Sequence, residues 1–401
     1  RALATELTVI IPVRDRTGQL NQTLSGLAPV SVIVVDDASR DGAGIARAAR
    51  AHGAEVVRLE ANVGPAGARN AGLARVRTPY VAFVDSDVRV GAATLLSLTA
   101  HFADARVALV APHVRARAVN ARPRWFERYE ESSPALGLGG RACVVRPGAA
   151  VGWLPSACLV GRTDRIAAAG GFDDRMRVGE DVDLVWRLAA AGERVRYDPG
   201  FEARHDARPT LRAWMGRKFT YGTGGAALAE RHPDAIVTAV LSPSMALAAL
   251  ALLARRPWSV PVALAGAARG VRVLRRTLPD TAERGGLAVR LSAGGLWWAV
   301  RQESVLVLRH WWPAAAGAAL VSRPARRVVV SAMAVDLIAG VRETPGRNPV
   351  LTFAGRRVDD CAYGAGLWWG ALRSADLRCL KIRLVRPGKR GLAGRTRGLS
   401  E

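Results

Sequence analysis

The sequence predicts an α/β protein whose sheet is mostly parallel and flanked by helices, followed by a hydrophobic, mainly helical C-terminal extension. Three observations carry that expectation. Short apolar runs alternate with helical patterns through residues 8–112. Those runs are near-continuously apolar, as in strands covered on both faces. Beyond about residue 230 the pattern gives way to long alanine-rich stretches.

Taken in order, "TVIIP" (8–12) reads as a strand and "GQLNQTLSGL" (18–27) as a helix. "VSVIVVDD" (30–37) is a second strand ending in two acids, and "DGAGIARAARAHG" (41–53) a helix closed by Gly53. "AEVVRLE" (54–60) is a third strand, and "GPAGARNAGLARV" (64–76) a glycine-opened helix. "YVAFVD" (80–85) and "VALVAP" (107–112) are further strands, separated by the helix "AATLLSLTAHF" (92–102). Residues 113–150 are less regular. Order resumes at 151 and includes "EDVDLVWRLAAAG", which sets Val182, Val185 and Leu188 on one helix face and Glu180, Asp181 and Asp183 in its first turn. "RVRYD" is a later strand, followed by His205.

The strand ends hold the chemistry. In parallel sheets of this kind ligands sit outside the carboxyl ends of the strands. Asp36, Asp37, Asp85 and Asp87 all fall there, as does "NVGPAGARN" (62–70). A buried carboxylate is costly unless paired or bound to a metal. Asp85-x-Asp87 therefore reads as a site for a hard divalent cation, Mg²⁺ or Mn²⁺, which commonly takes one or two protein carboxylates and fills its shell with water and phosphate. The plainer reading is a solvated turn. Asp36 or Asp37 can accept a uracil N–H, while Asp41 caps the next helix. Arg69, in a glycine-rich helix opening, suits a diphosphate. Asp181, or its neighbour Glu180, is a candidate general base at a helix start that keeps it ionised. His205 can complete a metal shell. In "RAWMGRKFTYGTGG" (212–225), Arg217, Lys218 and Tyr221 can hold phosphates. No Walker or dinucleotide-binding fingerprint is present, which removes support from kinase and dehydrogenase readings.

The 401 residues carry a formal net charge of +24, from 58 Lys+Arg against 34 Asp+Glu, and only Lys218, Lys381 and Lys389 are lysines. Such a charge suits an anionic partner, although an Ala/Arg/Gly-rich chain also reflects a GC-rich genome. No pattern of an RNA-binding fold accompanies the basic stretches, so nucleic acid is not an expected partner. Four cysteines without a CxxC pair argue against a zinc or disulfide scaffold and fit a reducing cytoplasm. "AIVTAVLSPSMALAALALLA" (235–254) is twenty residues without charge, interrupted by Pro243, and "VPVALAGAA" (260–268) can return antiparallel to it. With basic flanks, this pair suits either two buried helices or a hairpin at an anionic membrane surface, which would be the inner face of the cell membrane.

Taken together, "TVIIPVRDR", "VIVVDDAS", "NVGPAGARNAG", "YVAFVDSDV", "GGFDDRMRVGEDVDLVWRL" and "ARHDARPTLRAWMGRKFTYG" resemble the family-two glycosyltransferases of GT-A fold. The resemblance covers about 8–225. More narrowly, the chain is similar to glycosyltransferases of the mycofactocin system, which decorate a peptide-derived redox cofactor with glucose. A catalytic domain is expected over 1–228, while composition points to a hydrophobic helical region over 229–384 and a Gly/Arg-rich, disordered tail over 385–401. The resemblance implies a UDP-sugar donor, with Pro12, Asp36 and Asp37 at the uridine, Asp85 at the ribose or metal, Asp87 as main metal ligand, His205 near metal or diphosphate, and Asp181 as base. The Gln-x-x-Arg-Trp motif of processive synthases is missing after Asp181, which favours a short oligosaccharide product. Two other readings stand beside this one: a membrane enzyme acting on a lipid or cell-wall polysaccharide, and a non-catalytic nucleotide-binding subunit.

Overall fold

A computed structural model describes residues 2–236, 238–343 and 348–385. The expected disordered tail lies, from residue 386 onward, outside the described residues. The chain divides into two compact units: Arg1–Arg217 with Ala227–Ala235, and Lys218–Ala226 with the chain from Ile236.

The first unit contains strands β1 (Leu7–Val13), β2 (Ser31–Asp36), β3 (Glu55–Arg58), β4 (Tyr80–Val84), β5 (Val88–Arg89), β6 (Val107–Arg117), β7 (Cys143–Val145), β8 (Cys158–Arg162) and β9 (Arg194–Asp206). They form one sheet in the order β3-β2-β1-β4-β8-β6-β9-β5, with β7 also paired to β9. Its helices are α1 (Thr17–Leu24), α2 (Gly42–Ala51), α3 (Gly64–Leu73), α4 (Ala92–Leu98), α5 (Trp125–Ser132), α6 (Thr163–Ala168) and α7 (Glu180–Ala190). Helix α8 (Leu211–Arg231) has residues in both units.

The strands up to β4 pair in parallel, as their apolar runs and intervening helices require. Beyond β4 the sheet becomes mixed. β8 runs antiparallel to both β4 and β6, while β6 and β9 are parallel. The stretch that read as irregular holds the end of β6, α5 and β7. One face of the sheet is closed by a core that includes Leu7, Ile11, Leu20, Val34, Ile45 and Val84. On another, α3 lies so close that a Cβ on Gly72 would stand 2.6 Å from the Ile10 side chain. The Gly-Ala pattern of "GARNAG" is thus a packing requirement. Asp41 caps α2 by accepting from the Gly44 N–H at 2.8 Å, as expected. In α7, Val182 is only half-buried, whereas Leu184, Val185, Trp186 and Leu188 are buried.

The second unit is helical: α9 (Pro243–Ala254), α10 (Ser259–Thr277), α11 (Arg284–Val305), α12 (Trp312–Val321), α13 (Arg323–Glu343) and α14 (Pro349–Arg373). A π-helical turn, Leu306–His310, follows α11. A two-residue parallel pair joins β10 (Val240–Leu241) to β11 (Arg383–Leu384). The uncharged run 235–254 is therefore not one helix. Pro243 starts α9 instead of kinking it, because its missing N–H is harmless in the first turn. The return segment is α10, and it does pack antiparallel. The Ser259 hydroxyl donates to the Ala251 carbonyl, and Gly266 lies against Ala248 and Ser244 further down. Among the described residues no helix is long and apolar enough to cross a membrane.

Buried charges cross-link the helices of this unit. Asp336 on α13 accepts from Arg301, Arg356 and Arg357, each at 3.0 Å. Asp360 on α14 accepts from Arg357 at 2.6 Å and from Arg309 at 2.7 Å.

Candidate active site

The end of β2 delivers two buried carboxylates. Asp36 accepts from the Ser39 N–H at 2.9 Å and pairs with Arg58. Asp37 accepts from the N–H groups of Val63 (2.8 Å) and Gly64 (3.1 Å), and from the Asn62 side chain. It thereby fixes the turn into α3, where Gly64 has a φ of +84°. Both acids shape the loops around Pro12, which pairs with Val35 across the sheet and stays half-buried.

Asp85 and Asp87 end β4, as the sequence indicates, but they face different partners. Asp87 is buried beside Arg16, Arg208 and His205: the Arg208 guanidinium is 3.2 Å away and the His205 Nε2 is 3.6 Å away. Burial pushes the Asp87 carboxyl up, yet His205, Arg16, Arg208 and Arg217 outweigh it and bring it down to about 2. Asp87 is therefore ionised throughout the physiological range. The reason that His205 lies here is register. β5 pairs antiparallel with β9 so that Val88 stands opposite His205. Burial lowers the imidazole below its ordinary range, against the opposing pull of Asp87.

Arg69 corrects the expectation of a diphosphate ligand at the start of α3. It is 2% exposed, and its guanidinium donates to Asp85 at 2.6 Å and to Glu180 at 3.0 Å, over the ring of Phe172. Its depth follows from α3's close seat on the sheet, which turns the side chain inward. Arg69 is thus a strut between the Asp85 loop and the start of α7.

Helix α7 begins after Gly179, whose φ is +87°. Asp181 accepts from the Ser156 N–H at 2.9 Å and from the Val182 N–H at 2.8 Å. Burial raises its carboxyl above the ordinary value, and these hydrogen bonds with the Arg69 charge only partly offset it. Glu180 is pushed up to about 7, by burial and then by Asp181, against the pull of Arg69. The helix start was expected to hold these acids ionised; burial wins, and their proton affinity moves toward neutrality. Asp183 is a different case. It is fully buried and accepts from Arg187, Arg231 and His232, so it anchors the helix.

The basic cluster on α8 is divided between the two units. Arg217 is exposed in the first unit and acts electrostatically on Asp87. Lys218 belongs to the second unit, is buried, and lies 2.9 Å from Asp359. Tyr221 is half-buried in the same unit. The cause is the face of α8 that carries Lys218, Gly222 and Gly225: Cβ atoms on these glycines would collide with Tyr363 and Leu367 of α14.

The family model "Glycosyl transferase family 2" matches residues 8–142, and "Glycosyl transferase family group 2" matches 80–320. The chain is 40% identical over 395 residues to the pre-mycofactocin glycosyltransferase of Mycobacterium tuberculosis, covering 94% of this chain and 82% of that protein. It belongs to the family-two glycosyltransferases. Among solved structures, a mannosyltransferase of Pyrobaculum calidifontis in complex with GDP-Man and Mn²⁺ is 18% identical, with 91% of this chain and 87% of that chain covered and a TM-score of 0.49. S. aureus TarS in complex with UDP-GlcNAc is also 18% identical, with 93% of each chain covered and a TM-score of 0.42. As a family-two glycosyltransferase the protein is an enzyme, and its GT-A-type sheet carries the acids just described.

Does this glycosyltransferase offer a place for a divalent cation? Among the described residues no three His, Cys, Asp or Glu side chains gather as a ready cage, so Asp85, Asp87 and His205 do not form one. A one- or two-carboxylate site does fit. Asp87 stays ionised at neutral pH, Asp85 is partly exposed on the same loop, and Arg16 and Arg208 put positive charge beside Asp87. Sequence reasoning missed Arg16, Arg208 and Arg58. The first two do lie within quoted motifs, "TVIIPVRDR" and "ARHDARPT", each a few residues from a candidate ligand.

Proposed function

We propose that this glycosyltransferase moves glucose from UDP-glucose to the mycofactocin peptide-derived redox cofactor or its precursor, with inversion to a β-linkage, and builds a short oligosaccharide. The 40% identity to the pre-mycofactocin glycosyltransferase, across 94% of this chain, is the observation that carries the acceptor. The absence of Gln-x-x-Arg-Trp after Asp181 supports the short product.

In this reading Pro12, Asp36 and Asp37 frame the uridine, and Asp85 and Asp87 serve the ribose and a divalent metal, with His205 alongside. Mg²⁺ or Mn²⁺ held there supplies positive charge to the leaving diphosphate. Arg16 and Arg208 orient phosphate oxygens, and Arg69 holds the Asp85 loop at a fixed distance from α7. Asp181, fixed by the Ser156 N–H and raised by burial, takes the proton from the acceptor hydroxyl. A carboxylate raised above its ordinary value is a stronger base for that transfer. The hydroxyl oxygen then bonds to the anomeric carbon as the bond to the diphosphate oxygen breaks on the opposite face, so an α-linked donor gives a β-product. In this reading the second unit meets an anionic membrane surface.

Mass spectrometry of products from UDP-glucose and other UDP-hexoses, with peptide-derived and lipid acceptors, tests the proposal. A short ladder of hexose additions on the peptide-derived acceptor is expected. Sugar on the lipid acceptor alone would overturn the assignment, and no turnover with any donor would restore the non-catalytic reading.

A further inference from the structure

Helix α9, "PSMALAALALLA", and the first ten residues of α10 carry no charged side chain. Its inner side buries Ala248, Ala249, Ala251 and Leu253, yet Leu247 and Leu250 on its other side are 60% and 51% exposed. At the turn and on α10, Trp258, Val260 and Leu264 are 52%, 60% and 65% exposed. A hairpin that only packs into its own unit has no reason to leave large apolar side chains in water on both helices.

The charges around this apolar tip are of one sign. Between Asp234 and Asp280 the sequence contains six arginines and no acidic residue. Arg255 and Arg256 form the turn itself, and Arg269, Arg272, Arg275 and Arg276 line the second half of α10; all six are exposed. Length fixes the mode of contact. Twelve residues of helix extend about 18 Å, against about 30 Å of bilayer hydrocarbon. A tryptophan between arginines and exposed leucines matches the headgroup boundary, where an indole is favoured and guanidinium groups meet lipid phosphates.

From this we infer that the α9–α10 hairpin is a non-spanning membrane anchor, seated by its apolar tip in the interface of an anionic phospholipid bilayer and held there by the arginines. The inference rests on the membrane placement proposed above and gives it a site, a depth and a lipid charge.

The test is co-sedimentation of the full chain with phosphatidylcholine vesicles and with vesicles containing 30 mol% phosphatidylglycerol. The wild-type chain is expected on the anionic vesicles and much less on the neutral ones. Leu250→Ser with Trp258→Ser, and separately Arg255→Asn with Arg256→Gln, should each weaken binding about tenfold. Asn at 255 tolerates the left-handed backbone found there, with φ of +51°. Turnover with a soluble acceptor should stay unchanged in both variants, since neither touches the site. Binding by the wild type that both variants retain would overturn the hairpin anchor and leave the membrane placement standing. Absence of vesicle binding by the wild type would overturn both. Equal binding to neutral vesicles would overturn the role of the arginines. A dimer in light scattering that the serine variant dissolves, without vesicle binding, would assign the face to a second copy of the chain. None of these readouts depends on the identity of the sugar acceptor.

Discussion

In the first unit the buried acids Asp37, Asp87 and Glu180 stand at the ends of strands and at the start of a helix. In the second, Asp336, Asp359 and Asp360 stand in the middle of α13 and α14, each answered by arginine or lysine from another turn or helix. The outer surfaces differ in the opposite sense: large apolar side chains are exposed at many positions of the helical unit and at few of the first. Charge at an element end can meet a ligand, whereas Asp336, Asp359 and Asp360 are answered by basic residues of the surrounding helices and tie those helices together. The comparison teaches that one unit concentrates charge for chemistry and the other spends it on internal register while presenting apolar faces outward.

Substitutions sharpen this contrast in order of expected effect. Asp181→Asn keeps the shape and removes the proposed base. Single-turnover transfer should slow about 10²- to 10⁴-fold, while UDP affinity by calorimetry stays nearly constant. If affinity collapses with the rate, Asp181 belongs to the donor site. Asp360→Ala breaks the other kind of charge. It leaves Arg309 and Arg357 without their shared partner, in a place where the Arg357 Nε and Nη1 already lack one. Stability should fall by about 3 kcal/mol in denaturant titration, the low end for a broken buried pair because Asp359 and Asp336 still face these arginines, with nucleotide affinity retained.

Two smaller effects are read from pH. Glu180 is raised from an ordinary 4.5 to about 7, so the folded chain holds its proton more tightly than the unfolded one. This group's contribution is complete below 4.5 and is lost as pH rises through 7, a change of about 3 kcal/mol. Glu180→Gln should remove that decline between pH 4.5 and 7 in thermal melts. Asp87 runs the other way. Lowered from 3.8 to about 2, its contribution is present above 3.8 and is lost as pH falls toward 2. Asp87→Asn should therefore cost about 2 kcal/mol at pH 7 and little at pH 2. An unchanged melting profile in this variant would mean that Arg16 and Arg208 find other partners.

Much of the first unit was legible because its signals are local. Apolar runs with glycine and aspartate at their ends mark β1 to β4, and the Asp41 cap follows from its spacing to Gly44. The partners of the site acids were not legible, because they come from far along the chain. Arg69 meets Glu180 across 111 positions, and Arg208 meets Asp87 across 121. Lys218 looked like a phosphate ligand for a similar reason: "RKFTYGTGG" shows a basic patch, but only α14, far downstream, decides that its glycine face is buried. In the second unit, composition revealed helices without revealing which faces they share. Alanine-rich sequence has little periodic contrast, so α9 was read as part of a longer run.

The two-residue pairing of β5 with β9 carries a consequence for the newborn chain. Ribosomes add about 5–20 residues per second. Asp87 therefore emerges on the order of ten seconds before Arg208, from which it is 121 positions distant. Through that interval the parallel strands β1 to β4 can already assemble, while the loop that ends them lacks the strand that will clamp it. Asp36 and Asp37 find their partners early, whereas the surroundings of Asp87 are completed late, and a nascent chain released before β9 retains the sheet's beginning without His205 and Arg208 beside that loop.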